Sequence, residues 1–351
     1  MFSSRRLHRP LLRNPHVTVV GIAVLVSSIV LLGCQPSATP SGSEATQTYS
    51  GTYPIQAVAT VGMVADLVRT IGGPQVNVQQ ICGSGVDPHL YKPTRDDVQL
   101  ILSADVVFYC GLLLEGKMGD TLQKVSKMKP CIAVAEQIDD ELLLKPTEFE
   151  GHYDPHVWND VSAWSKCVDA VAQSLSKFDP GNKNLYEERA KAYEKTLTEL
   201  HAYGKRVIAT VPEKNRVLIT SHDAFNYFGR AYELDVMGIQ GLSTESEAGL
   251  QRINELVDLL VDRDVKAVFI ESSVSRKNID ALIEGSLSRG HAVKIGGELF
   301  SDAMGQAGTY EGTYVGMLDH NITLVAGALG GDVDPKGFSG KLAGTAETEQ
   351  P

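Results

Sequence analysis

Residues 184–210 read NLYEERAKAYEKTLTELHAYGKRVIAT, a stretch that contains no proline and no glycine before Gly204. It is rich in Glu, Lys, Ala and Leu, which are strong helix formers. The composition predicts one long helix, about 40 Å at about 1.5 Å per residue, in the middle of a chain of 351 residues. Two helices broken at Gly204 are the alternative.

Strand and helix patterns alternate on both sides of this helix. Before it, the apolar runs 56–60, 76–81, 105–109 and 131–134 are typical of strands, and helical patterns lie between them. One of these helices is marked by a capping box that starts at Thr94. After the long helix, strands are predicted at 216–220, 234–237, 267–270 and 291–295, and helices near 224–232, 245–262, 277–289 and 313–329. The alternation predicts an α/β fold with a parallel sheet in each half.

Three histidines and one aspartate follow strands or open helices in short polar segments. The segments are GSGVDPH with His89, DPHVWND with His156, TSHDAF with His222, and FSDAM with Asp302. In an open α/β sheet, loops at the carboxyl ends of the strands converge on one crevice. Three imidazoles and one carboxylate in that crevice would hold a borderline divalent cation such as Zn²⁺.

Five segments resemble the zinc- and manganese-binding lipoproteins of bacterial metal ABC importers, the TroA-like solute-binding proteins. They are GVDPHLY at 85–91, DPHVWND at 154–160, SHDAFNYF at 221–228, FIESS at 269–273 and GGELFSDAMG at 296–305. The resemblance spans residues 55 to 330 and implies two (β/α)4 lobes joined by one rigid helix. It also implies that His89 and His156 from the first lobe and His222 and Asp302 from the second hold the metal between the lobes.

The cargo implied by this resemblance is Zn²⁺ or Mn²⁺, with Fe²⁺ as a further candidate, delivered to an ABC permease. Many zinc-specific relatives carry a His-rich loop between the first two ligands, whereas residues 135–155 of this chain contain one histidine, His152. Manganese-specific relatives often have a carboxylate as the third ligand, whereas this chain has His222. Three nitrogen ligands favour Zn²⁺ by the Irving–Williams order, although supply and transporter recognition also select the metal.

Other polar residues near these segments have simpler expected roles. His152 is expected to be exposed, and His201, His291 and His320 are expected to be structural residues within helices or strands. Glu271 is either a group that orients an imidazole or a polar residue that ends a strand.

The N-terminus predicts export and lipid anchoring. Residues 1–16 carry four arginines and no acidic residue, and an apolar stretch then runs from Val17 to Leu32. The sequence LLGC at 31–34 resembles a lipobox in which Cys34 is lipidated, and the apolar stretch is short for a membrane span of about 20 residues. A transmembrane anchor and twin-arginine export are the alternatives for this segment.

These patterns divide the chain into six predicted parts. They are a lipoprotein signal peptide at 1–33, the lipidated Cys34 with a flexible tether at 34–52, a first metal-binding lobe at 53–180, the linking helix at 181–212, a second metal-binding lobe at 213–331 and a disordered tail at 332–351.

Charge and cysteine content exclude several classes of partner. The net charge of −11 argues against binding to nucleic acid and against attachment to a membrane through a polybasic surface. The lipid on Cys34 would therefore hold the protein at the membrane. The protein would face the periplasm or exterior. Apart from Cys34, four cysteines occur without a CxxC pair, and most are expected to be buried free thiols. We expect a monomer.

A secreted zinc hydrolase and an adhesin-type surface lipoprotein are the alternative functions. A zinc hydrolase needs three protein ligands, an open water position and a general base. The chain contains neither HExxH nor GxSxG, so we expect a binding protein and not an enzyme.

The lipid anchor can be tested with Cys34→Ala. Because the side chain that carries the lipid is removed, we expect the protein to leave the membrane fraction or to remain unprocessed, as measured by cell fractionation and intact mass. Membrane retention with normal cleavage would contradict the lipoprotein assignment.

Overall fold

The computed structural model describes residues 48–149 and 151–343, which belong to one compact unit. The signal peptide and Cys34 therefore lie outside the described residues. Within the described part of the chain, no helix has both the length and the apolar character needed to cross a membrane. The boundaries between the two lobes and the linking helix stay a prediction.

The N-terminal half contains a four-stranded parallel sheet in the order β2-β1-β3-β4. Its strands are β1 (Ile55–Ala59), β2 (Val76–Gln80), β3 (Val106–Tyr109) and β4 (Cys131–Ala133). Its helices are α1 (Gly62–Gly72), α2 (Arg95–Ser103), α3 (Gly119–Val125) and α4 (Val161–Phe178). The central strand β1 is buried almost throughout, as expected for a parallel sheet with both faces covered. The predicted capping box at Thr94 is confirmed at the start of α2.

A single helix, α5 (Lys183–Ile208), follows and contains 26 residues. It continues through Gly204, so the alternative of two shorter helices is wrong. A Cβ at position 204 would lie 2.6 Å from a ring carbon of Tyr232, so the close approach of that ring requires glycine. The helix contacts both halves, because Arg189 donates to the Gly72 carbonyl at 2.7 Å and the Tyr203 hydroxyl lies 2.9 Å from Thr323 Oγ1.

The C-terminal half repeats the alternation of strands and helices. Its strands are β5 (Val217–His222), β6 (Asp235–Gln240), β7 (Ala267–Glu271) and β8 (Lys294–Leu299), which pair in parallel as β5–β6 and β7–β8. Its helices are α6 (Asn226–Tyr232), α7 (Leu250–Asp262), α8 (Lys277–Ser288) and α9 (Tyr314–Ala328). Strand β5 lies beside β7, so the strands lie in the order β6-β5-β7-β8, which corresponds to the order of the first sheet. The predicted α/β class with parallel sheets and a long helix is confirmed.

Two predicted boundaries in this half are wrong. The helix predicted from residue 245 begins at Leu250, because residues 241–249 form an irregular loop. The strand predicted at 291–295 begins at Lys294, and His291 lies before it, where its Nε2 bonds the Val265 carbonyl at 2.7 Å. His291 is therefore buried and structural, but it is not part of a strand.

The four described cysteines are free thiols, and all but Cys131 are buried. Burial raises the pKa of the Cys82 thiol to about 12 and that of Cys131 to about 11. The prediction that most are buried free thiols is confirmed, and a protonated buried thiol is chemically inert.

Part of the predicted disordered tail is ordered. Within residues 332–343, the backbone N–H groups of Phe338 and Ser339 donate to the buried Asp319 carboxylate at 2.6 and 3.2 Å. The Tyr310 hydroxyl donates to Oδ2 of the same carboxylate at 2.8 Å, and the Thr323 hydroxyl donates to Oδ1 at 3.2 Å. The prediction of disorder from composition is therefore wrong for this segment, because a few backbone hydrogen bonds to one buried carboxylate hold it in place.

We expect Gly337→Ala to destabilise the protein more than Gly340→Ala. Both glycines have a positive φ, +72° and +67°, but a Cβ at Gly337 would overlap Asp319 Oδ1, whereas no atom lies within 4 Å of a Cβ at Gly340. We expect a loss of about 2–4 kcal/mol for Gly337→Ala against about 1–2 kcal/mol for the control, measured by chemical denaturation. Equal losses would mean that Asp319 does not hold this segment.

Candidate metal centre

The first histidine of the site, His89, lies in an irregular segment that follows β2. Its backbone N–H donates to Asp87 Oδ1 at 2.8 Å, which fixes the turn made by Asp87-Pro88-His89. The imidazole is almost fully buried and points toward the carboxyl ends of the strands of the second half, where it meets Asp302.

The second histidine, His156, is held by the same Asp-Pro-His turn. Its backbone N–H and its ring Nδ1 both lie close to Asp154 Oδ1, at 2.9 and 2.7 Å. The other oxygen of Asp154 accepts from Asn226 Nδ2 at 3.3 Å. Asp154 therefore fixes the ring orientation and leaves Nε2 of His156 free to act as a ligand atom.

The third histidine, His222, ends strand β5 beside Glu271, which ends the neighbouring strand β7. Glu271 Oε1 accepts the His222 backbone N–H at 2.8 Å, and Oε2 lies 2.5 Å from ring Nδ1. Of the two interpretations of Glu271, the structure supports the one in which it orients an imidazole.

The carboxylate of Asp302, which follows β8, meets all three rings. Its oxygens lie 3.2 Å from His222 Nε2, 3.4 Å from His156 Nε2 and 3.7 Å from His89 Nε2. The Nε2 atoms of His89 and His156 are 3.3 Å apart. A tetrahedral shell with metal–ligand bonds of about 2.0–2.1 Å has ligand–ligand distances of about 3.3–3.4 Å. The measured distances approach this spacing, although those to Asp302 involve both oxygens, Oδ2 for His222 and His89 and Oδ1 for His156.

Several polar atoms of this cluster lack hydrogen bonds. Although His222 Nε2 and Asp302 Oδ2 are close, their geometry is not that of a hydrogen bond, and no described residue satisfies His222 Nε2 or either oxygen of Asp302. Buried polar atoms are normally paired, and an unpaired buried carboxylate is costly. A divalent cation among the four side chains would satisfy these atoms.

The charges of the cluster are set by burial and by its own members. Burial lowers the pKa of His89 to about 3, so its ring is neutral and ready to ligate. Burial also opposes charge on His222, but the Glu271 and Asp302 carboxylates outweigh it and raise the pKa of His222 well above its usual value. For Asp302, burial opposes ionisation, yet the three imidazoles, His222 first, lower the pKa of the carboxyl.

The four residues singled out by the sequence therefore meet in one buried group, with one ligand atom of each within 4.8 Å of the others. His152 is exposed, as predicted, and His201 and His320 lie in α5 and α9. Sequence reasoning overlooked Asp154 as a partner of His156. The signal was the repeat of Asp-Pro-His at 87–89 and 154–156, in which each aspartate accepts the backbone N–H of its histidine.

Comparisons with known proteins place this chain in one family. The family described as zinc-uptake complex component A, periplasmic, matches residues 57–328. The chain belongs to this family of periplasmic metal-uptake proteins.

Individual relatives extend the match over most of the chain. The manganese-binding lipoprotein MntA of Bacillus subtilis is 46% identical over 307 residues, which are 88% of this chain and 97% of MntA. The zinc-binding protein TroA of Treponema pallidum is 47% identical over 272 residues, 78% of this chain and 88% of that protein. The solved structure of periplasmic TroA superimposes with a TM-score of 0.76 and covers 80% of this chain and 99% of its own.

The contact between Glu271 and His222 can be tested with Glu271→Gln. An amide orients the ring less strongly and does not raise its basicity, so we expect metal affinity to fall about 10–100-fold in calorimetric titration. Glu298→Gln, which changes an exposed carboxylate on the paired strand β8, serves as the control. An affinity for Glu271→Gln equal to that of the control would show that Glu271 has no part in metal binding.

Proposed function

We propose that this protein is the extracytoplasmic solute-binding component of an ABC importer, and that its cargo is a divalent transition metal, Zn²⁺ or Mn²⁺. The ligands would be His89, His156, His222 and Asp302. The observation that carries the proposal is their convergence in one buried group whose polar atoms lack other partners. Family membership supports it, since relatives are named for binding zinc or manganese.

The ligand set favours capture over catalysis. Four protein ligand atoms complete a tetrahedral shell, whereas a zinc hydrolase keeps one position open for water. The two carboxylates nearest the rings, Asp154 and Glu271, bond the Nδ1 atoms of His156 and His222, which leaves neither placed as a general base for water. We therefore propose transport and not hydrolysis, in agreement with the description of the matched family as part of an uptake complex.

The choice between the two metals follows from the donor atoms. Three imidazoles and one carboxylate bind Zn²⁺ more tightly than Mn²⁺ by the Irving–Williams order. Fe²⁺ falls between the two in this order. We propose that the isolated protein prefers Zn²⁺, while the cargo in the cell depends on which metal is supplied.

Anchoring and delivery complete the proposal. Relatives named as lipoproteins support lipid attachment at Cys34. A monomer held at the membrane in this way would deliver its metal to the permease of the importer. The buried position of His156 and His222 means that delivery requires the cluster to open.

The test of metal binding is His222→Ala and Asp302→Ala, each compared with His152→Ala, which removes an exposed imidazole outside the cluster. Loss of a ligand should weaken Zn²⁺ binding at least about tenfold, measured by competition with a chromophoric chelator, whereas His152→Ala should bind as wild type does. Zn²⁺ should also raise the melting temperature of the wild type, because it binds the folded and not the unfolded chain.

Two outcomes would refute the proposed site. The first is that both cluster variants bind one Zn²⁺ per chain with wild-type affinity. The second is that His152→Ala weakens binding as much as they do.

A further inference from the structure

The two halves of the protein meet on two sides of the metal centre, and the first side is built from buried side chains. We call it the fixed side and define it by Trp158, Asn159, Tyr227 and Tyr314, all of them fully buried. Each donates to a backbone carbonyl of the opposite half: Trp158 to Ser301 at 2.8 Å, Asn159 to Ala224 at 2.9 Å, Tyr227 to Asp154 at 2.9 Å and Tyr314 to Trp158 at 2.8 Å. Breaking such contacts would strand polar groups away from water, which is costly.

The fixed side ties three of the four ligands together. The acceptor Ser301 is next to Asp302, and the acceptor Ala224 lies two residues after His222. The donors Trp158 and Asn159 lie two and three residues after His156 in the chain. Although His156 belongs to the N-terminal half, it is thus held against the C-terminal half together with His222 and Asp302.

On the second side, the halves meet through two polar contacts, which we call the gate. Thr244 Oγ1 donates to Asp87 Oδ2 at 2.6 Å, and Lys117 Nζ lies 2.5 Å from Glu245 Oε1. The side chains of Lys117 and Glu245 are 39% and 44% exposed, so water can replace their contact at little cost. Thr244 and Glu245 lie in the irregular loop 241–249, and Asp87 lies in the irregular segment 83–91, so neither partner is fixed by regular structure.

The gate is connected directly to the fourth ligand. One oxygen of Asp87 accepts from Thr244 across the cleft, and the other accepts the backbone N–H of His89. The rings of His156 and His222 are each held at Nδ1 by a carboxylate. Within the described part of the chain, the ring of His89 has no such carboxylate at Nδ1, and its Nε2 approaches Asp302 and His156 of the cluster.

We propose that the metal reaches and leaves the site past His89, through the gate closed by Asp87 and Thr244, and that His89 is the ligand that moves. When the contact between Thr244 and Asp87 breaks, segment 83–91 is free to carry His89 away from the cluster. His156, His222 and Asp302 then stay together as a three-ligand site open to solvent. Asp87 is a positioning residue in this scheme, because it links a ligand to the opposite half without contacting the metal. The inference rests on the proposed metal-binding function.

The gate can be tested by measuring how fast Zn²⁺ leaves the protein. Thr244→Val keeps the shape of the side chain but removes the hydroxyl that bonds Asp87. We expect the rate of Zn²⁺ transfer to excess chromophoric chelator to rise about tenfold, the factor expected for a hydrogen bond to a charged group. Thr198→Val is the matched control, because the Thr198 hydroxyl bonds the Glu194 carbonyl within α5 and crosses no cleft. It should release Zn²⁺ at the wild-type rate.

Lys117→Gln provides a second variant at an exposed position, where misfolding is not a concern. It removes the ion pair with Glu245 and should also raise the rate of Zn²⁺ release, but by less than Thr244→Val does. Tyr227→Phe removes a hydroxyl from the fixed side and should accelerate release less than Thr244→Val does.

Hydrogen exchange of the Zn²⁺-loaded protein distinguishes movement of the segment that carries His89 from a loss of stability throughout the protein. In Thr244→Val, amides of segment 83–91 should exchange faster than in wild type, while those of segment 156–164 should be unchanged. The gate is refuted if wild type binds Zn²⁺ but both gate variants release it at the wild-type rate, or if Tyr227→Phe speeds release more than Thr244→Val. Failure of the wild type itself to bind Zn²⁺ would instead refute the proposed function.

Discussion

The Asp302 carboxylate is buried among three imidazole rings, and neither of its oxygens has a hydrogen bond from a described residue. A buried carboxylate without a partner is strongly unfavourable, so the folded protein tolerates this arrangement because imidazoles surround it. The same imidazoles lower the pKa of Asp302 and keep it ionised. A divalent cation at the centre would neutralise the carboxylate and bind one nitrogen of each ring. This single constraint accounts for the spacing, the burial and the chemistry of the site.

The rest of the fold serves to bring these groups together. His222 and Glu271 end adjacent strands, and Asp302 follows the next strand, β8. The carboxyl ends of the strands therefore supply two of the proposed ligands and the group that orients one of them. His89 and His156 come from the other half through two Asp-Pro-His turns. Helix α5 contacts both halves through Arg189 and Tyr203. An unequal distribution of contacts, strong beside His156 and weak beside His89, would let a buried metal be released without unfolding.

Much of this arrangement was predictable from local sequence patterns. The eight strands of the described residues were predicted from short apolar runs, and α5 is a long run of helix formers, so propensity and periodicity locate them within a few residues. The four candidate ligands stand in polar segments at strand ends, where the topology of an α/β sheet brings them together.

What could not be predicted depends on contacts distant in sequence. The irregular loop ahead of α7 and the segment 332–343 make contacts with Asp87, Lys117 and Asp319, which no local pattern reveals. The roles of Asp154 and Glu271 depend on which oxygen faces which ring nitrogen, and this is set by tertiary packing. A carboxylate two residues before a histidine is common in turns, so the sequence alone did not distinguish Asp154 from an ordinary turn residue.

X-ray absorption at the zinc edge of the fully loaded protein tests the central claim most directly. The account predicts one Zn²⁺ per chain, surrounded by three imidazole nitrogens and carboxylate oxygen at about 2.0–2.2 Å, with the same spectrum in His152→Ala and a loss of one imidazole in His89→Ala. A spectrum with two or fewer imidazoles, or one that is unchanged in His89→Ala, would contradict the four-residue site.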